Sequence, residues 1–394
     1  MNKLIFLIPL MVSLVLPLTA QSSLEAVLDA VENNNLVLST ERQFWDAEKN
    51  RVRIGLTLPN PTVEGEYLIG SPETAGNQID ISALQAFELP VAYKRQRELA
   101  AARAGLSVSE VATRRQEVLL ETKLTCLELT YFFQLNLQYD RRREKLVAIQ
   151  EDFRRKLETG EGNILDVNKV GLQLLELRQR KQANDLQIQQ LGIRLTELNG
   201  GQPIAYRDSL YPPLPDILEF TQIEQASKIT APQMQTLKQR GAIAEKQLEV
   251  SKLYRLPSFE AGYRYQSILG QRFNGIHLGV KLPLWEQKYR TETRQAQVLL
   301  ADLELARFAN EHYNEIKELY DRQAMLNQSL EEYRQAIRLV DNGRLLDKAL
   351  RLGEITTVEY FLETSLYENA RLHALQLEYE YQAAIAELTK SSLL

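Results

Sequence analysis

Cysteine and histidine are scarce in this 394-residue sequence, and their scarcity excludes several kinds of site. The one cysteine, Cys126, cannot form an internal disulfide. The three histidines, His277, His312 and His373, lack the short spacing of a helical metal site. The sequence also has no nucleophile elbow, phosphate-binding glycine loop or H-E-x-x-H pattern. We therefore expect no enzymatic activity, no metal and no cofactor.

Basic patches and long apolar runs are scarce as well. The formal net charge is −5 and no basic stripe interleaves with aromatic residues, so no nucleic-acid partner is expected. The one long apolar run, residues 4–18, follows Lys3 and precedes the small residue Ala20, which is typical of a signal peptide. A retained anchor is the alternative, although the run is shorter than the roughly 20 residues of a spanning helix.

An internal repeat is the strongest organising feature of the sequence. Leu89-Pro90 recurs as Leu282-Pro283, and Gly160 recurs as Gly353, both at a separation of 193 residues. A shared separation of two different motifs indicates that one architectural unit was duplicated.

Proline and glycine divide the two copies into corresponding elements. The predicted domains are a signal peptide (1–20), a first helix-hairpin-helix repeat (21–201), a proline-rich linker (202–215) and a second repeat (216–394). Helices are predicted at about 23–58, 91–159, 164–199, 216–256, 284–352 and 355–389, and strand pairs at about 62–89 and 258–282. The predicted fold class is mainly α, with one β-hairpin in each repeat.

Both predicted hairpins alternate between apolar and polar residues. In the first, Val63 and Tyr67 alternate with glutamates, although Leu84 and Gln85 blur the return strand. A membrane-spanning β-barrel requires such alternation, because one face meets lipid and the other meets water. A hairpin packed on a soluble core would show it too. The charged residues predicted to face a water-filled lumen are Glu64, Glu66, Arg264 and Lys281.

The strand count predicts oligomerisation. A two-stranded hairpin is marginally stable alone, and four strands from two repeats still leave a sheet with two open edges. Closing that sheet into a barrel requires strands from other copies of the chain.

The two glycine turns carry the most specific motifs. One reads Leu157-Glu-Thr-Gly160-Glu-Gly-Asn-Ile-Leu-Asp166, and the other reads Leu350-Arg-Leu-Gly353-Glu-Ile-Thr-Thr-Val-Glu359. Together with the duplicated helix-hairpin-helix order, they make the mature chain resemble the TolC-like outer membrane efflux protein family. Some members of that family carry a lipid-anchored cysteine at the mature N-terminus, where this sequence has Gln21.

The resemblance implies both an assembly and a function. Three chains would form a homotrimer, with a 12-stranded transmembrane β-barrel in the outer membrane lipid and a long α-helical periplasmic barrel. Such a trimer is the passive duct of a tripartite efflux or type I secretion system. An inner-membrane pump, such as an RND or ABC transporter, delivers substrate through a periplasmic adaptor protein. Whether the substrate is a drug, metal ion, peptide or polysaccharide stays open.

The resemblance also implies roles for residues near the turns. Gly160, Gly162 and Gly353 would lie at the periplasmic tip, where the adaptor docks. Asp166 and Glu359 each lie six residues beyond a turn glycine, and threefold symmetry would make each a ring of charge at the entrance. The alternative is that both are ordinary carboxylates in the first turn of a helix. If they form the entrance, alanine at either position should raise conductance or leakiness.

A second interpretation of the whole chain stays open at this point. Long helices alone would suit a periplasmic coiled-coil adaptor or another structural interaction protein. The recurrent hairpins favour the duct, because an adaptor has no need for alternating faces in both repeats.

Overall fold

The computed structural model describes residues 23–285, 289–340 and 343–393. The predicted signal peptide lies outside these residues. The chain is mainly helical, with a four-stranded antiparallel sheet of order β1-β2-β3-β4. The predicted class, long helices with one hairpin per repeat, is confirmed.

The elements follow in chain order. The α-helices of the described part are α1 (Leu24–Asn34), α2 (Leu36–Arg51), α3 (Pro90–Glu158), α4 (Ile164–Leu198), α5 (Phe220–Thr230), α6 (Pro232–Leu253), α7 (Arg290–Leu339), α8 (Gly343–Leu352) and α9 (Thr357–Leu388). The strands are β1 (Thr62–Leu68), β2 (Gln78–Phe87), β3 (Ser258–Ile268) and β4 (Gln271–Lys281).

The long helix of the first repeat agrees with its prediction. Helix α3 runs for 69 residues without interruption, even through Gly105. It begins at Pro90, whose fixed φ suits a first helical position, and it ends just before Gly160. Helix α4 also lies within one residue of its predicted bounds.

The first predicted helix, 23–58, is wrong in two respects. It is divided at Asn35, whose side chain accepts a hydrogen bond from the Leu38 amide at 3.0 Å and so caps α2. An asparagine in this role competes with continuous helix. Helix α2 then ends at Arg51, ahead of the left-handed Gly55.

The helix predicted at 216–256 is also divided. Ala231 is extended, as a residue before proline tends to be, and Pro232 starts α6. Helix α5 starts only at Phe220, so the irregular segment after α4 extends beyond the predicted end of the linker at residue 215.

The helix predicted at 284–352 is shorter and interrupted. Helix α7 starts at Arg290 and ends at Leu339, where Val340 leaves helical backbone angles with φ −112° and ψ 21°. Helix α8 continues from Gly343, and residues 341 and 342 lie outside the described part.

The repeat separation of 193 residues recurs in the elements themselves. Strand β2 begins at Gln78 and β4 at Gln271, while α4 begins at Ile164 and α9 at Thr357. Strand β2 pairs with β3, so the central pair of the sheet joins one repeat to the other.

The chain divides into two compact units, and both repeats contribute to each. One unit contains Thr122–Pro212 with α8 and most of α9, and its core includes Phe153, Val170 and Tyr360. The other contains the sheet with α2, α5, α6 and α7. The repeat boundaries proposed from the sequence therefore stay a prediction.

None of the described helices is both long enough and apolar enough to cross a bilayer.

Candidate functional site: a two-faced sheet and two helical turns

One face of the sheet gathers the predicted lumen residues. Glu64 lies opposite Ser82, and Ser82 lies opposite Arg264, so the register places all three on one face. Lys281 pairs with Ser258, which has the same parity as Arg264 along β3. Glu66 lies two residues after Glu64 on β1 and therefore on the same face. Register therefore brings all four predicted residues to one side of the sheet.

The same face holds further ionisable residues that were not among the predicted lumen residues. Asp80 accepts a hydrogen bond from the Gln78 side-chain amide at 2.8 Å and lies 3.5 Å from the Arg264 guanidinium. His277 Nε2 lies 3.2 Å from a Glu260 carboxylate oxygen. Glu260 and His277 each lie four residues from a predicted lumen residue of the same strand, whereas Asp80 is placed on this face by its pairing with Gln266.

The opposite face is apolar and exposed. On β4, Ile276, Leu278 and Val280 are 83%, 79% and 60% exposed. Across the sheet, Val63 on β1 is 72% exposed. Polar side chains on this face include Asn274, Arg272 and Gln85, and the Gln85 side-chain amide donates to the Pro59 carbonyl at 2.8 Å. An apolar surface of this extent is unusual for a surface that faces water.

Both outer strands have an open edge. Within the described residues, β1 pairs only with β2, and β4 pairs only with β3. Each outer edge therefore presents unpaired backbone donors and acceptors, which is a template for a further strand.

The two glycine turns have the same backbone hydrogen bonds. At the end of α3, the Gly160 amide donates to the Leu157 carbonyl at 3.2 Å, and the Glu161 amide donates to Lys156 at 2.9 Å. At the end of α8, Gly353 and Glu354 repeat both bonds at 3.2 and 2.9 Å. This is the Schellman motif, and φ of +79° and +72° at the two glycines explains the choice of residue.

The predicted entrance carboxylates occupy the third helical position after each turn. Asn163 caps α4 by accepting from the Leu165 amide at 2.9 Å, and Asp166 lies 3.2 Å from Lys169 Nζ. Thr356 and Glu359 form a capping box at the start of α9. The Thr356 amide donates to the Glu359 carboxylate at 2.8 Å, and the Glu359 amide donates to the Thr356 hydroxyl at 3.2 Å.

These contacts affect the carboxyl group of Glu359. The hydrogen bond from the Thr356 amide, followed by that from the Thr356 hydroxyl, lowers the pKa of Glu359. A helix-capping role is therefore established for this residue by its contacts. Whether either carboxylate also faces an entrance stays a prediction.

The sequence matches no protein-family model and no curated protein. Solved structures share the fold over nearly the whole chain. A CusC structure, from a study of folding and transmembrane channel formation, gives a TM-score of 0.78 at 12% identity, covering 95% of this chain and 92% of that one. The Campylobacter jejuni CmeC outer membrane channel gives 0.77 at 15% identity, covering 93% and 85%. The Vibrio cholerae outer membrane protein VceC gives 0.74 at 11% identity, covering 93% and 94%.

The chain has the TolC-like fold.

In this TolC-like fold, the two turns are attached to one hydrophobic cluster. Phe153 and Val170 come from the helices around the first turn, and Leu350 and Tyr360 come from those around the second. The Tyr360 hydroxyl donates to the Asp347 carboxylate at 2.8 Å. Duplicated sequence segments thus meet in a single core.

Gly162 is required by close contact within the first turn. A Cβ at this position would lie 2.5 Å from the Leu157 amide nitrogen and 2.8 Å from the Lys156 carbonyl carbon. Both atoms belong to the backbone, so a side chain could not be accommodated by a rotamer change. The position equivalent to Gly162 in the second turn is Ile355, which packs against the hydrophobic cluster.

Potential metal ligands do not cluster in the part of the TolC-like fold that the structure describes. No group of three or more potential metal ligands occurs in residues 23–285, 289–340 and 343–393. Cys126 is buried, and burial raises the pKa of its thiol to about 12. The expectation that the chain is not an enzyme stays a prediction.

Proposed function

We propose that the chain forms a passive duct across the outer membrane. The observation that carries this proposal is the sheet with one exposed apolar face, one charged face and two open edges. Lipid suits the first face, an aqueous lumen suits the second, and neighbouring copies suit the edges. The similar structures described as outer membrane channels support the same location.

The proposed assembly is a homotrimer. In a closed ring, β4 of one copy would pair with β1 of the next and remove every open edge. Three copies of this sheet supply the twelve strands implied by the family resemblance. A cyclic assembly of this kind also repeats every lumen charge three times.

We further propose that the glycine turns contact a periplasmic adaptor, which connects the duct to an inner-membrane pump. The turns are exposed, and apolar side chains flank both. Leu165 and Val358, which occupy equivalent positions in the two repeats, are each 58% exposed. Apolar side chains beside an exposed turn suit a contact with another helical protein.

Membrane fractionation followed by native mass measurement tests the duct and its assembly. We expect the protein in the outer membrane fraction and, after detergent extraction, at three times the mass of one mature chain. A soluble periplasmic monomer or dimer would contradict the proposal and favour the coiled-coil interaction protein.

A pair of lysine variants tests which face meets lipid. Ile276→Lys places a charge on the apolar face, where a lysine at the membrane centre costs about 2–4 kcal/mol. Gln266→Lys places the same charge on the opposite face and is the matched control. We expect the first to reduce the heat-stable trimer in outer membranes and the second to leave it unchanged. Equal losses would contradict the assignment of faces.

A further inference from the structure

Cross-strand pairing defines rows of residues that run across the four strands. One row on the apolar face passes from Val63 on β1 through Ala83 and Tyr263 to Ile276 on β4. In a closed barrel, this row continues onto β1 of the next copy. The residue that it reaches there fixes the register between the two copies, and the register determines which side chains meet at the junction.

The strand sequences of one repeat recur in the other. Residues 61–67 read PTVEGEY and residues 257–263 read PSFEAGY, with proline, glutamate and tyrosine at the same positions. Strand β1 therefore corresponds to β3. Strand β4 corresponds to β2 through the 193-residue separation of the repeats, which places Ile276 at the position of Ala83. The pairing of β2 with β3 is thus a template for the pairing of β4 with β1 of the next copy.

This template gives a specific register. Within the chain, Ala83 pairs with Tyr263. The corresponding residues are Ile276 on β4 and Tyr67 on β1 of the next copy. The row that starts at Val63 would therefore reach the next copy at Tyr67, four residues further along β1.

Barrel geometry supports the same register independently of the repeat. A second estimate is needed because the hairpins are not exact copies: nine residues separate β1 from β2, but two separate β3 from β4. A stagger of four residues per chain gives about 12 residues around a trimer, equal to the strand number. Barrels with equal strand number and stagger have strands tilted by about 36°, within the usual range of about 35–45°. A register two residues away on either side gives a tilt of about 20° or 47°, outside that range.

The register also matches polar groups on the lumen face, because it places His277 of one copy opposite Glu66 of the next. Within its own chain, Glu66 lies opposite Asp80, and like charges directly across a strand pair repel. His277 Nε2 lies 3.2 Å from Glu260, and a protonated imidazole has a second N–H that can donate to Glu66. The junction therefore gives Glu66 a hydrogen-bond donor, whereas its own sheet gives it a second carboxylate.

We propose that the β4 edge of one copy binds the β1 edge of a second copy in this register. Ile276 then lies opposite Tyr67 on the lipid-facing side, and His277 lies opposite Glu66 on the lumen side. The inference rests on the proposed outer membrane duct, and it adds the residues that join one copy to the next.

Disulfide cross-linking in outer membranes tests the register. The in-register variant is Glu66→Cys with His277→Cys. The off-register controls are Glu66→Cys with Gly279→Cys and Glu64→Cys with His277→Cys. Within one chain, β1 and β4 are three strand spacings apart, about 14 Å, which is too far for a disulfide. A disulfide between the introduced cysteines must therefore join two copies. The wild type, whose one cysteine is buried, is the background control.

We expect the in-register variant to form a covalent trimer on oxidation with copper phenanthroline, because each copy would be bonded to both neighbours. Non-reducing denaturing electrophoresis measures the product, and reduction should return the single chain. The rate should exceed that of either off-register variant at least about tenfold, since diagonal neighbours lie about 7–8 Å apart and direct neighbours about 5 Å.

A second set of variants on the lipid-facing side keeps the test valid if the first set assembles poorly. Tyr67→Cys with Ile276→Cys is in register, and Tyr67→Cys with Leu278→Cys is its control, both oxidised with iodine, which enters the bilayer. Successive cross-strand pairs alternate between wider and closer spacing, so one of the two in-register variants has the closer geometry. Rates are compared only among variants whose native mass equals that of the wild type.

The outcomes separate the register from the duct. Faster cross-linking of an off-register variant would overturn the register and leave the duct intact. A protein of trimer mass in which no variant cross-links would refute the junction between β4 and β1. A soluble monomer without cross-links would refute the proposed function as well.

Discussion

The turns at Gly160 and Gly353 share a backbone and differ in their side chains. Both are Schellman motifs, and both lead after the same number of residues into a capped helix. The cap is Asn163 in one turn and Thr356 in the other. Duplication has therefore preserved the hydrogen bonding of the backbone while the side chains have diverged. Equivalent positions in the two turns need not have equal roles.

Packing shows the same divergence. Leu350, just before the second turn, is buried in the shared hydrophobic cluster, whereas its equivalent Leu157 is only half-buried. The side chain of Ile355 packs against the hydrophobic cluster. At the equivalent position of the first turn, the backbone of Gly162 packs directly against the end of α3. The second turn thus contributes side chains to the core, and the first turn is stabilised by a compact backbone.

The largest loss of folding stability should come from Leu350→Ala. Removing a buried leucine side chain costs about 2–5 kcal/mol, depending on how far the surroundings relax. Leu157→Ala is the matched variant and should cost clearly less. Urea unfolding of the detergent-solubilised protein, at one fixed protein concentration, measures both. Equal losses would show that the two turns are packed alike.

Gly162→Ala should destabilise by a smaller amount, about 1–3 kcal/mol, because backbone atoms of the α3 end must move. Gly105 lies inside α3, and among the described residues a new Cβ there would have no atom within 4 Å outside its own helical turn, so Gly105→Ala is the comparison. It should stabilise by up to about 1 kcal/mol, since alanine favours helix. If Gly162→Ala lowers the free energy of unfolding and Gly105→Ala raises it, the difference comes from the close backbone contact at Gly162. A neutral Gly162→Ala would contradict the close packing of the first turn.

Proline and glycine positions, together with the alternation of residues in the strands, predicted much of this structure. Pro90 and Gly160 set the bounds of α3, and strand parity placed Glu64 and Arg264 on one face. The amphipathic periodicity of the helices did not predict their bounds where a single residue interrupts a helix. Asn35 and Pro232 each end a helix that the surrounding pattern would continue. Both signals were present, but long amphipathic stretches outweighed them.

The proximity of Arg103 on α3 to Arg294 on α7 could not have been predicted in the same way. The two residues lie far apart in the sequence, and each arginine alone resembles any other on a helix surface. Only tertiary packing places Arg103 within reach of the charge of Arg294. The turn glycines, by contrast, are local features whose backbone demands can be recognised from a few residues.

The smallest stability effects should distinguish the two carboxylates. Glu359→Gln weakens the capping box, whereas Asp166→Asn leaves the Thr356 contacts intact. The folded-state pKa of Glu359 is lowered, so its stabilisation is present above the unfolded pKa. It is lost as pH falls through the folded value. We therefore expect Glu359→Gln to reduce the loss of stability on acidification, as measured by urea unfolding across this pH range.

Single-channel currents in planar bilayers would show whether either carboxylate also faces the entrance. If both form rings of charge, Asp166→Asn and Glu359→Gln should each reduce cation preference. Glu161→Gln and Glu354→Gln, equivalent exposed positions within the turns, are the controls. Unchanged currents in Glu359→Gln, together with an altered stability at acid pH, would show that Glu359 caps the helix and does not face the entrance. A change in Asp166→Asn alone would then assign the entrance charge to the first repeat. In that repeat the backbone packing of Gly162 stabilises the turn, so the carboxylate of Asp166 is not needed for it.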